Sequence, residues 1–528
     1  MLRTITSSLL LAITFCMISV SAAAQKQNNL SMQANKLGQT LYYIQNMYLD
    51  TANIESLTNK ALAAMVTELD PHSSYITKED IKAMDEPLVG NFDGIGVEFA
   101  LINDTLTINA TIPGGPAEKV GVRAGDKIVS VDDENIAGTS LTIERVHKYL
   151  RGPKGTKVKV DVVRKGVPQL LEFVITRDKI PLNSVDAYYE IKDGIVYIRL
   201  TRFAATSHEE LLNAIKSIGI KPKGIVLDLR GNSGGYLLTA IQIANEFLHF
   251  GDLIVYTEGR AMPRMEEYAN GKGTLMDVPV AILIDESSAS ASEIVSGAIQ
   301  DQDRGVIIGR RSFGKGLVQR QVPLPDGSAL RLTVARYHTP SGRVIQSPYE
   351  EGKKDEYYKQ LTERYARGEN FNRDSIHLAD SVVYRTIKLG RPVYGGGGIM
   401  PDIFVPQDTT FYTPFYGELL RKGLLTDYMN QYSDSHRAAL LKKYPKVEQF
   451  VKKYNVSDDD VAAFLAYCAQ KGVTPQEGDM DISGVQIRKY LKGLVIRSVY
   501  DFNSFIHFIN SDDKEILKAV EELEAFQQ

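Results

Sequence analysis

The chain has 528 residues, of which 43% are hydrophobic, so it is too long for one ordinary domain and has enough apolar material for several cores. Its 61 basic and 65 acidic residues give a formal net charge of −4. This near balance provides no long-range field that would gather nucleic acid or an anionic membrane, so nucleic acid is not expected as a partner. Self-association and peripheral contact with a membrane stay open.

The first 24 residues predict an export signal. A basic residue, Arg3, precedes an apolar stretch over residues 9–20, and small residues end at Ala24, where cleavage fits the small-x-small rule. The apolar stretch is about a dozen residues long, short of the roughly 20 that a membrane-spanning helix needs. We therefore expect an exported protein, periplasmic or extracellular, after removal of residues 1–24.

The two cysteines predict no disulfide framework. Cys16 lies inside the apolar stretch behind bulky Phe15, where a lipidation site would want a small residue, so we expect it to leave with the signal. Cys468 would then be the only thiol of the mature chain, which excludes an intrachain disulfide and argues against a cysteine-based metal or redox site. Its apolar neighbours, residues 464–467, suggest a core position on a helix.

The next two segments differ in their hydrophobic period. Residues 25–87 have helical spacing and predict an N-terminal helical segment. Residues 88–178 consist of short β-branched runs separated by glycine-rich turns, which predicts a small, mostly β domain.

Part of this small domain has the features of a peptide-binding fold. Residues 115–128 place a short helix between two glycine turns and lead into a strand, and this stretch resembles a PDZ domain. Upstream, Gly94, Ile95, Gly96 and Val97 match the loop with which such domains hold the terminal carboxylate of a peptide. Glycines let successive backbone N–H groups point into one concavity, and an extended peptide can then add to the sheet edge. An ordinary turn is the alternative for this short glycine pattern taken alone.

Residues 179–410 predict a layered α/β core, because buried strands alternate with helices. The predicted strands and helices follow in the order 224–229, 237–247, 280–284 and 290–299. An Asp-Gly pair at 326–327 predicts a hairpin between strands 317–324 and 330–337. The polar residues 347–395 are expected to form an insertion on the surface of the core. Residues 411–528 predict a helical C-terminal extension without a recognisable catalytic signature.

A serine cluster follows the second of these strands. Residues 287–293 are small and end in Glu293, so a hydroxyl such as that of Ser290 would be exposed at a helix N-terminus, beside N–H groups and the positive end of the helix dipole. The alternative is that the cluster only caps the helix, since Ser followed by Glu is a common capping pattern.

A lysine between two glycines lies further along the chain. If residues 315–319 are extended, Lys315 and Gln319 point to the same side, since side chains alternate along a strand. An exposed loop lysine and a phosphate binder are the alternatives, although the P-loop spacing is absent. A third segment, residues 227–235, combines a strand with a glycine-rich turn that suits backbone donors for an oxyanion.

Together the three segments resemble the carboxyl-terminal processing peptidases, also called tail-specific proteases, over about residues 30–346 and again over residues 398–402. The resemblance implies that Ser290 is the nucleophile, Lys315 the general base and Gln319 the residue that orients the lysine. It further implies that Ala291 and Gly234 supply oxyanion N–H groups. The lysine must be neutral to accept the serine proton, so its surroundings should be closed to water.

The resemblance also implies the architecture and the partners. We expect a multi-domain α/β chain with an N-terminal helical segment, a PDZ β domain, a protease core of the ClpP/crotonase-like type and a helical C-terminal extension. Expected substrates are proteins or peptides with free C-termini, and no cofactor or metal is implied. Arg151 matches a PDZ arginine that in some relatives couples peptide loading to protease activation, and a solvated turn arginine is the alternative.

Three other interpretations compete with this one. His72 could be a triad base, but a structural role is favoured. Residues 231–235 satisfy G-x-S-x-G, so Ser233 could be a hydrolase nucleophile, although His249 and His338 sit in no recognisable triad context. A non-catalytic PDZ scaffold would lack part of the set, whereas serine, lysine and glutamine are all present.

Overall fold

The computed structural model describes residues 29–526, apart from residues 103, 113 and 379–382. The predicted export signal, residues 1–24, lies outside the described residues. In the part of the chain that is described, no helix is both long and apolar enough to cross a membrane.

The N-terminal segment is mainly helical and adds one strand to the core. Helix α1 covers residues 29–47. The elements that follow are α2 (Ile54–Thr67), β1 (Ser74–Ile76) and α3 (Lys78–Val89). Strand β1 pairs with the strand over Ala329–His338, Ser74 opposite Arg331, so this segment is built into the core rather than attached to its surface.

The PDZ domain is a six-stranded antiparallel sheet with two short helices. Its elements are β3 (Val97–Ile102), β4 (Thr105–Thr111), α4 (Pro116–Lys119), β5 (Lys127–Val131), β6 (Glu134–Asn135), α5 (Ile143–Leu150), β7 (Lys157–Val163) and β8 (Leu171–Thr176). The strand order is β3-β4-β5-β7-β8, with β6 beside β5, so β3 is an edge strand. A two-stranded ribbon of β2 (Asn91–Gly94) and β9 (Asp178–Pro181) joins this domain to the core.

The α/β core contains a six-stranded sheet that is parallel except at its first strand. Its strands are β10 (Val185–Lys192), β11 (Ile195–Leu200), β12 (Gly224–Asp228), β15 (Val280–Ile284), β16 (Val306–Gly309) and β21 (Ile403–Phe404), in that spatial order. Helices α6 (Ser207–Ile218), α7 (Leu237–Phe247) and α8 (Ala291–Asp301) pack on one face. The predicted bounds of α7 are confirmed.

A second, antiparallel sheet lies beside the first. It contains β13 (Leu253–Gly259), β14 (Met262–Tyr268), β17 (Leu317–Pro323) and β18 (Ala329–His338) together with β1. Strands β17 and β18 form the hairpin that the Asp-Gly pair predicts.

The C-terminal extension covers the other face of the core sheet. Its helices are α10 (Pro414–Arg421), α11 (Leu424–Lys443), α12 (Val447–Lys453), α13 (Asp458–Gln470), α14 (Asp479–Val499), α15 (Phe502–Ile509) and α16 (Lys514–Ala525), with a 3₁₀ turn at Asn510–Asp512. Alternate strand residues, such as Val226 and Leu283, pack against these helices, whereas their neighbours face α6–α8. Cys468 is buried on α13, as its neighbours predict. The extension is therefore a structural layer of the α/β core.

The residues between β18 and β21 include α9 (Lys354–Ala366), a 3₁₀ turn at Arg373–Ser375 and the hairpin of β19 (Val383–Arg385) and β20 (Pro392–Tyr394). The sequence predicts a surface insertion here, and this is only partly correct. Tyr357 and Arg364 of α9 are buried against the core. The charge-rich composition of residues 347–395 predicts exposed side chains, so it gives no sign that these two are buried.

Candidate active site

A cavity of about 640 Å³ opens at the carboxyl ends of three core strands. Ser290, Lys315 and Gln319 line it together with Ser233 and Gly234. The segments that carry these residues follow β15, β16 and β12, which are neighbours in the sheet. Because the carboxyl ends of parallel strands meet at one edge, segments distant in sequence come together here.

Hydrogen bonds hold the segments against each other. The Ala289 N–H and the Ser292 hydroxyl donate to the Asn232 carbonyl at 3.0 and 2.8 Å. The Phe313 N–H donates to the Ser288 carbonyl at 3.0 Å. The serine segment thus lies between the glycine-rich turn and the lysine loop, with backbone contacts to both.

Ser290 is the N-cap of α8 and has an unusual backbone conformation. Its φ is +54° and its ψ is −110°, a region that residues other than glycine rarely adopt. Its N–H donates to Oε2 of Glu293 at 2.8 Å, which is one half of a capping box. The capping interpretation is therefore confirmed. The same geometry also places the Ser290 side chain on the cavity.

Lys315 is held by a chain of polar contacts. Its Nζ donates to Oε1 of Gln319 at 3.0 Å, and the Gln319 amide donates to the His72 carbonyl at 2.5 Å. The two side chains meet as strand alternation predicts. Burial, with a smaller contribution from the positive charge of Arg331, lowers the pKa of Lys315. Both effects favour the neutral amine.

Glu293 is a central residue of the site. The sequence predicts only a helix-capping role for it. It is fully buried, and its Oε2 accepts from the Ser290 and Lys315 N–H groups at 2.8 and 2.9 Å. Its Oε1 accepts from the Gly314 N–H at 2.7 Å and the Ser312 hydroxyl at 2.5 Å. Burial raises the pKa of Glu293 to about 7, against the four hydrogen bonds that favour its charged form. One carboxylate thus clamps the serine turn to the lysine loop.

Tyr337 makes a second link between the same two segments. Its hydroxyl donates to the Lys315 carbonyl at 2.6 Å and lies 3.1 Å from the Ser290 carbonyl. Burial raises its pKa well above the usual range, so the hydroxyl stays protonated. A tyrosine in a strand hairpin carries no sequence signal for this role.

The two predicted oxyanion residues differ in their geometry. Ala291 is the first residue of α8, so its N–H has no carbonyl one turn earlier in the helix. Gly234 lies so close to Ser290 that a Cβ on it would be 2.8 Å from the Ser290 Cβ. Its N–H, however, donates to Oδ1 of Asn232 at 2.9 Å. Gly234 therefore leaves room for Ser290, and its role as an oxyanion donor stays a prediction.

The alternative nucleophile and bases find no support in the contacts. Ser233 is exposed and lines the same cavity, but no histidine in the described part of the chain lines it. His338 stacks on Tyr256 with ring centroids 4.4 Å apart. His249 lines a separate depression. A serine-histidine pair is therefore absent among the described lining residues.

His72 has the structural role that was favoured. Its ring lies 3.1 Å from the Tyr357 hydroxyl, and its carbonyl fixes Gln319. Burial and the nearby Lys315 lower the pKa of His72 to about 4, so the ring is neutral at physiological pH. A neutral ring adds no positive charge beside the lysine.

The PDZ loop has the backbone expected for a carboxylate-binding turn. Gly96 has a φ of +76°, and the Ile95 carbonyl accepts from the Ala117 N–H at 2.9 Å. The loop leads into edge strand β3. A second cavity of about 670 Å³ runs along that strand and is bounded on its far side by α11 and α14 of the extension.

Arg151 links the domain of residues 88–178 to helix α3. Its Nη1 donates to Oε2 of Glu86 on α3 at 2.6 Å, and its guanidinium lies 4.5 Å from the ring centroid of Phe92. Met84 and Leu88 of the same helix line the catalytic cavity. The alternative of a solvated turn arginine does not fit this ion pair.

Metal ligands are not grouped anywhere in the described ranges: no cluster of three or more His, Cys, Asp or Glu side chains could hold a metal ion. The residues of the catalytic cavity are those of acid–base and nucleophilic chemistry.

Comparison with known proteins places the chain in a family. The model of peptidase family S41 matches residues 194–352, a PDZ domain model matches residues 107–164, and a family of unknown function matches residues 415–501. The carboxy-terminal-processing protease of Bartonella bacilliformis is 39% identical over 342 residues, which cover 64% of this chain and 78% of that protein. The carboxy-terminal processing protease CtpB of Bacillus subtilis is 33% identical, over 62% of this chain and 68% of that protein. Among solved structures, the photosystem II D1 C-terminal processing protease is 30% identical and covers 58% of this chain and 82% of its own, with a TM-score of 0.32.

These matches cover both the domain that carries the cavity and the domain that carries the PDZ loop. The chain belongs to the carboxy-terminal processing protease family and is a serine endopeptidase with a PDZ domain.

Proposed function

We propose that Ser290 and Lys315 form the catalytic dyad of an exported endopeptidase whose PDZ domain selects substrates by their C-termini. The observation that carries the dyad is the shared cavity of the two residues, together with the chain of contacts from Lys315 through Gln319 to the backbone of His72.

In the proposed reaction, neutral Lys315 takes the hydroxyl proton of Ser290 as Oγ attacks the scissile carbonyl carbon. The oxyanion that forms would accept a hydrogen bond from the Ala291 N–H, at the positive end of the α8 dipole. The lysine ammonium then gives its proton to the departing amine, the C–N bond breaks and an acyl-enzyme remains. Water then attacks the acyl-enzyme and gives a proton to Lys315, and the lysine returns a proton to Oγ as the ester C–O bond breaks, which releases the acid and regenerates Ser290.

Edge strand β3 and the loop before it support recognition of C-termini. An extended peptide can pair with the free edge of β3, and its terminal carboxylate would then meet the N–H groups of residues 94–97. Export rests on the signal pattern of residues 1–24, and N-terminal sequencing of protein from the periplasm or medium should give Gln25 as the first residue.

Three single variants test the dyad. Ser290→Ala and Lys315→Ala should each abolish hydrolysis of a peptide with an apolar C-terminus while leaving the unfolding temperature near that of the wild type. Ser233→Ala is the matched control, because it changes an exposed serine of the same cavity, and it should keep most of the activity. An inactive Ser233→Ala beside an active Ser290→Ala would reverse the assignment.

A further inference from the structure

Helix α16, the last helix of the extension, places one carboxylate beside arginines that follow the core strands β12 and β16. Glu515 in its first turn is 5% exposed and contacts two guanidinium groups, Oε2 with Nη1 of Arg230 and Oε1 with Nη1 of Arg310. The N-cap residue of the helix, Asp513, adds a contact of 2.8 Å to Arg230. A single side chain therefore joins two arginines that are 80 residues apart in sequence.

Each of the two arginines lies between the end of a core strand and a segment that lines the proposed active site. Arg230 follows β12 and precedes Asn232, whose carbonyl binds Ala289 and Ser292 in the serine segment. Arg310 follows β16 directly and lies five residues before Lys315. Strand β15, which leads to Ser290, lies between β12 and β16 in the sheet. The Glu515 contacts thus span the strand that carries the nucleophile.

Two further carboxylates at this end of the sheet each contact one of the arginines. Buried Asp228 accepts from Nη2 of Arg230 at 2.7 Å, and Glu286 accepts from Nε of Arg310 at 2.9 Å. Neither of these carboxylates contacts both arginines, so Glu515 is the bridge between the two pairs.

The packing of helix α16 on the core sheet does not require this bridge. Helix α16 already packs on the sheet through buried Ile516, Ala519, Val520 and Leu523. Burying charges is costly and adds little stability compared with apolar contacts of similar size, but it fixes geometry well. Bidentate and charge-assisted contacts of arginine are directional, so they set the positions of the strand ends.

We propose that Glu515 is a positioning residue of the protease: it holds the segment of Ser290 and the loop of Lys315 at their working separation through Arg230 and Arg310. The inference rests on the proposed dyad. It gives the extension a role in catalysis, and α16 lies outside the residues that the family models match.

The test compares Glu515→Gln with Glu524→Gln. Glu524 lies on the same helix and pairs with Lys192, and neither of these two residues is a described partner of Arg230 or Arg310. Glu515→Gln should lower kcat tenfold or more with little change in KM, and should lower by a similar factor the rate at which a small fluorophosphonate acylates Ser290. Glu524→Gln should leave both rates unchanged. Glu515→Asp, which keeps the charge at a shorter reach, should recover part of the loss.

A double variant tests the route through the arginine. If Glu515 acts through Arg310, the variant Glu515→Gln with Arg310→Gln should be no slower than the slower single variant, because both changes break the same contact. Losses that multiply would overturn the proposed route.

Two further outcomes decide the proposal. Acylation of Glu515→Gln at the wild-type rate, with only a lower unfolding temperature, would make the contact merely structural and overturn it; equal slowing by Glu524→Gln would do the same. If Glu515→Gln does not fold, Glu515→Asp carries the same measurements. Ser290→Ala serves as the reference, since acylation that persists in this variant would reject the dyad itself rather than the role of Glu515.

Discussion

Ser290 combines a strained backbone with a set of contacts that hold the strain in place. A φ of +54° costs on the order of 1–3 kcal/mol for a residue with a side chain, so it persists only where the surroundings enforce it. Here the Ser290 N–H is fixed by Glu293, and its carbonyl lies near the Tyr337 hydroxyl. The neighbouring Gly234 leaves space that a Cβ would fill. The conformation is therefore a product of three buried partners.

Glu293→Gln should reduce activity by about a hundredfold or more. Each oxygen of Glu293 accepts hydrogen bonds from two donors, so either orientation of a glutamine amide would bring an NH₂ group against N–H or O–H donors. A buried donor that loses its partner costs about 1–3 kcal/mol, and two are lost. Steady-state kinetics and acylation by a small inhibitor would both show the loss. A fully active Glu293→Gln would show that the clamp is dispensable.

The pH dependence should follow the neutral form of Lys315. Because burial and Arg331 lower its pKa, kcat/KM should rise with pH through a midpoint below that of free lysine. Arg331→Gln removes the positive charge and should move this midpoint to higher pH. Arg336→Gln, an exposed arginine on the same strand, should leave the midpoint in place. A pH profile that Arg331→Gln leaves unchanged would contradict the assignment of the base.

Glu293 should make the fold itself sensitive to pH near neutrality. Its folded pKa of about 7 lies above the ordinary value of 4.5, so its contribution to the free energy of unfolding is full below pH 4.5 and is lost as pH rises through 7. A carboxylate whose pKa is lowered by nearby cations has the opposite effect, since its contribution to the free energy of unfolding is lost as the pH falls.

The residues of the proposed mechanism could be predicted from the sequence more readily than the residues that hold them in place. Local patterns alone leave helix capping and an exposed loop lysine as alternatives, and the resemblance to a known family assigns the roles of Ser290, Lys315 and Gln319. Glu293 looks like a capping residue, and Tyr337 like an ordinary strand residue. Their function depends on contacts across 22 and 47 residues, which periodicity does not encode.

At the scale of elements, the region between β18 of the second sheet and β21 of the core sheet also depends on contacts that the sequence pattern does not predict. Arg364 of α9 donates to the carbonyls of Arg311 and Ser312 at 3.0 Å, and Tyr357 of the same helix contacts His72. The charged composition of this region predicts exposure, whereas the guanidinium is buried because it satisfies backbone carbonyls and pairs with Glu369. Helix α9 therefore supports the loop that carries Lys315.

Helix α3 is the element through which the PDZ domain reaches the cavity. The Arg151–Glu86 pair anchors it, so Arg151→Ala should lower turnover of long substrates that occupy the α3 side of the cavity. The reaction of Ser290 with a small acylating inhibitor should be unchanged. Glu86→Gln should reproduce the effect, since it breaks the same pair.

Lys154→Ala serves as the control for this link. It removes another ion pair of the PDZ domain, between Lys154 and exposed Asp178, which does not involve α3. A loss of turnover in Lys154→Ala equal to that in Arg151→Ala would show a general effect on the PDZ domain and would contradict a specific link through α3.

At the scale of the whole molecule, the core sheet is buried between two helical layers that come from different parts of the chain. The pattern of the strands predicts this burial, because residues 224–229 and 280–284 are almost continuously apolar. It does not predict which helices cover the second face. Since α10–α16 provide that cover, removal of the extension would expose one face of the sheet.

Cleavage should depend on a free C-terminus if the PDZ loop binds the terminal carboxylate. Amidation of a substrate removes the charge that the N–H groups of residues 94–97 would bind, and charge-assisted hydrogen bonds contribute about 1.5–3 kcal/mol. Paired kinetics on free-acid and amidated forms of one peptide should therefore differ about ten- to hundredfold in kcat/KM.

A variant of the loop separates this recognition from other effects of amidation. Gly96→Ala introduces a Cβ at a φ of +76°, 3.0 Å from Ile180, and should distort the loop. It should lower kcat/KM for the free-acid peptide toward that for the amide. Gly138→Ala is the matched control, because Gly138 also has a positive φ in the PDZ domain but faces open space, and the difference between the two peptides should persist in it. Equal rates on both peptides in the wild type would mean that the PDZ domain does not read the chain end.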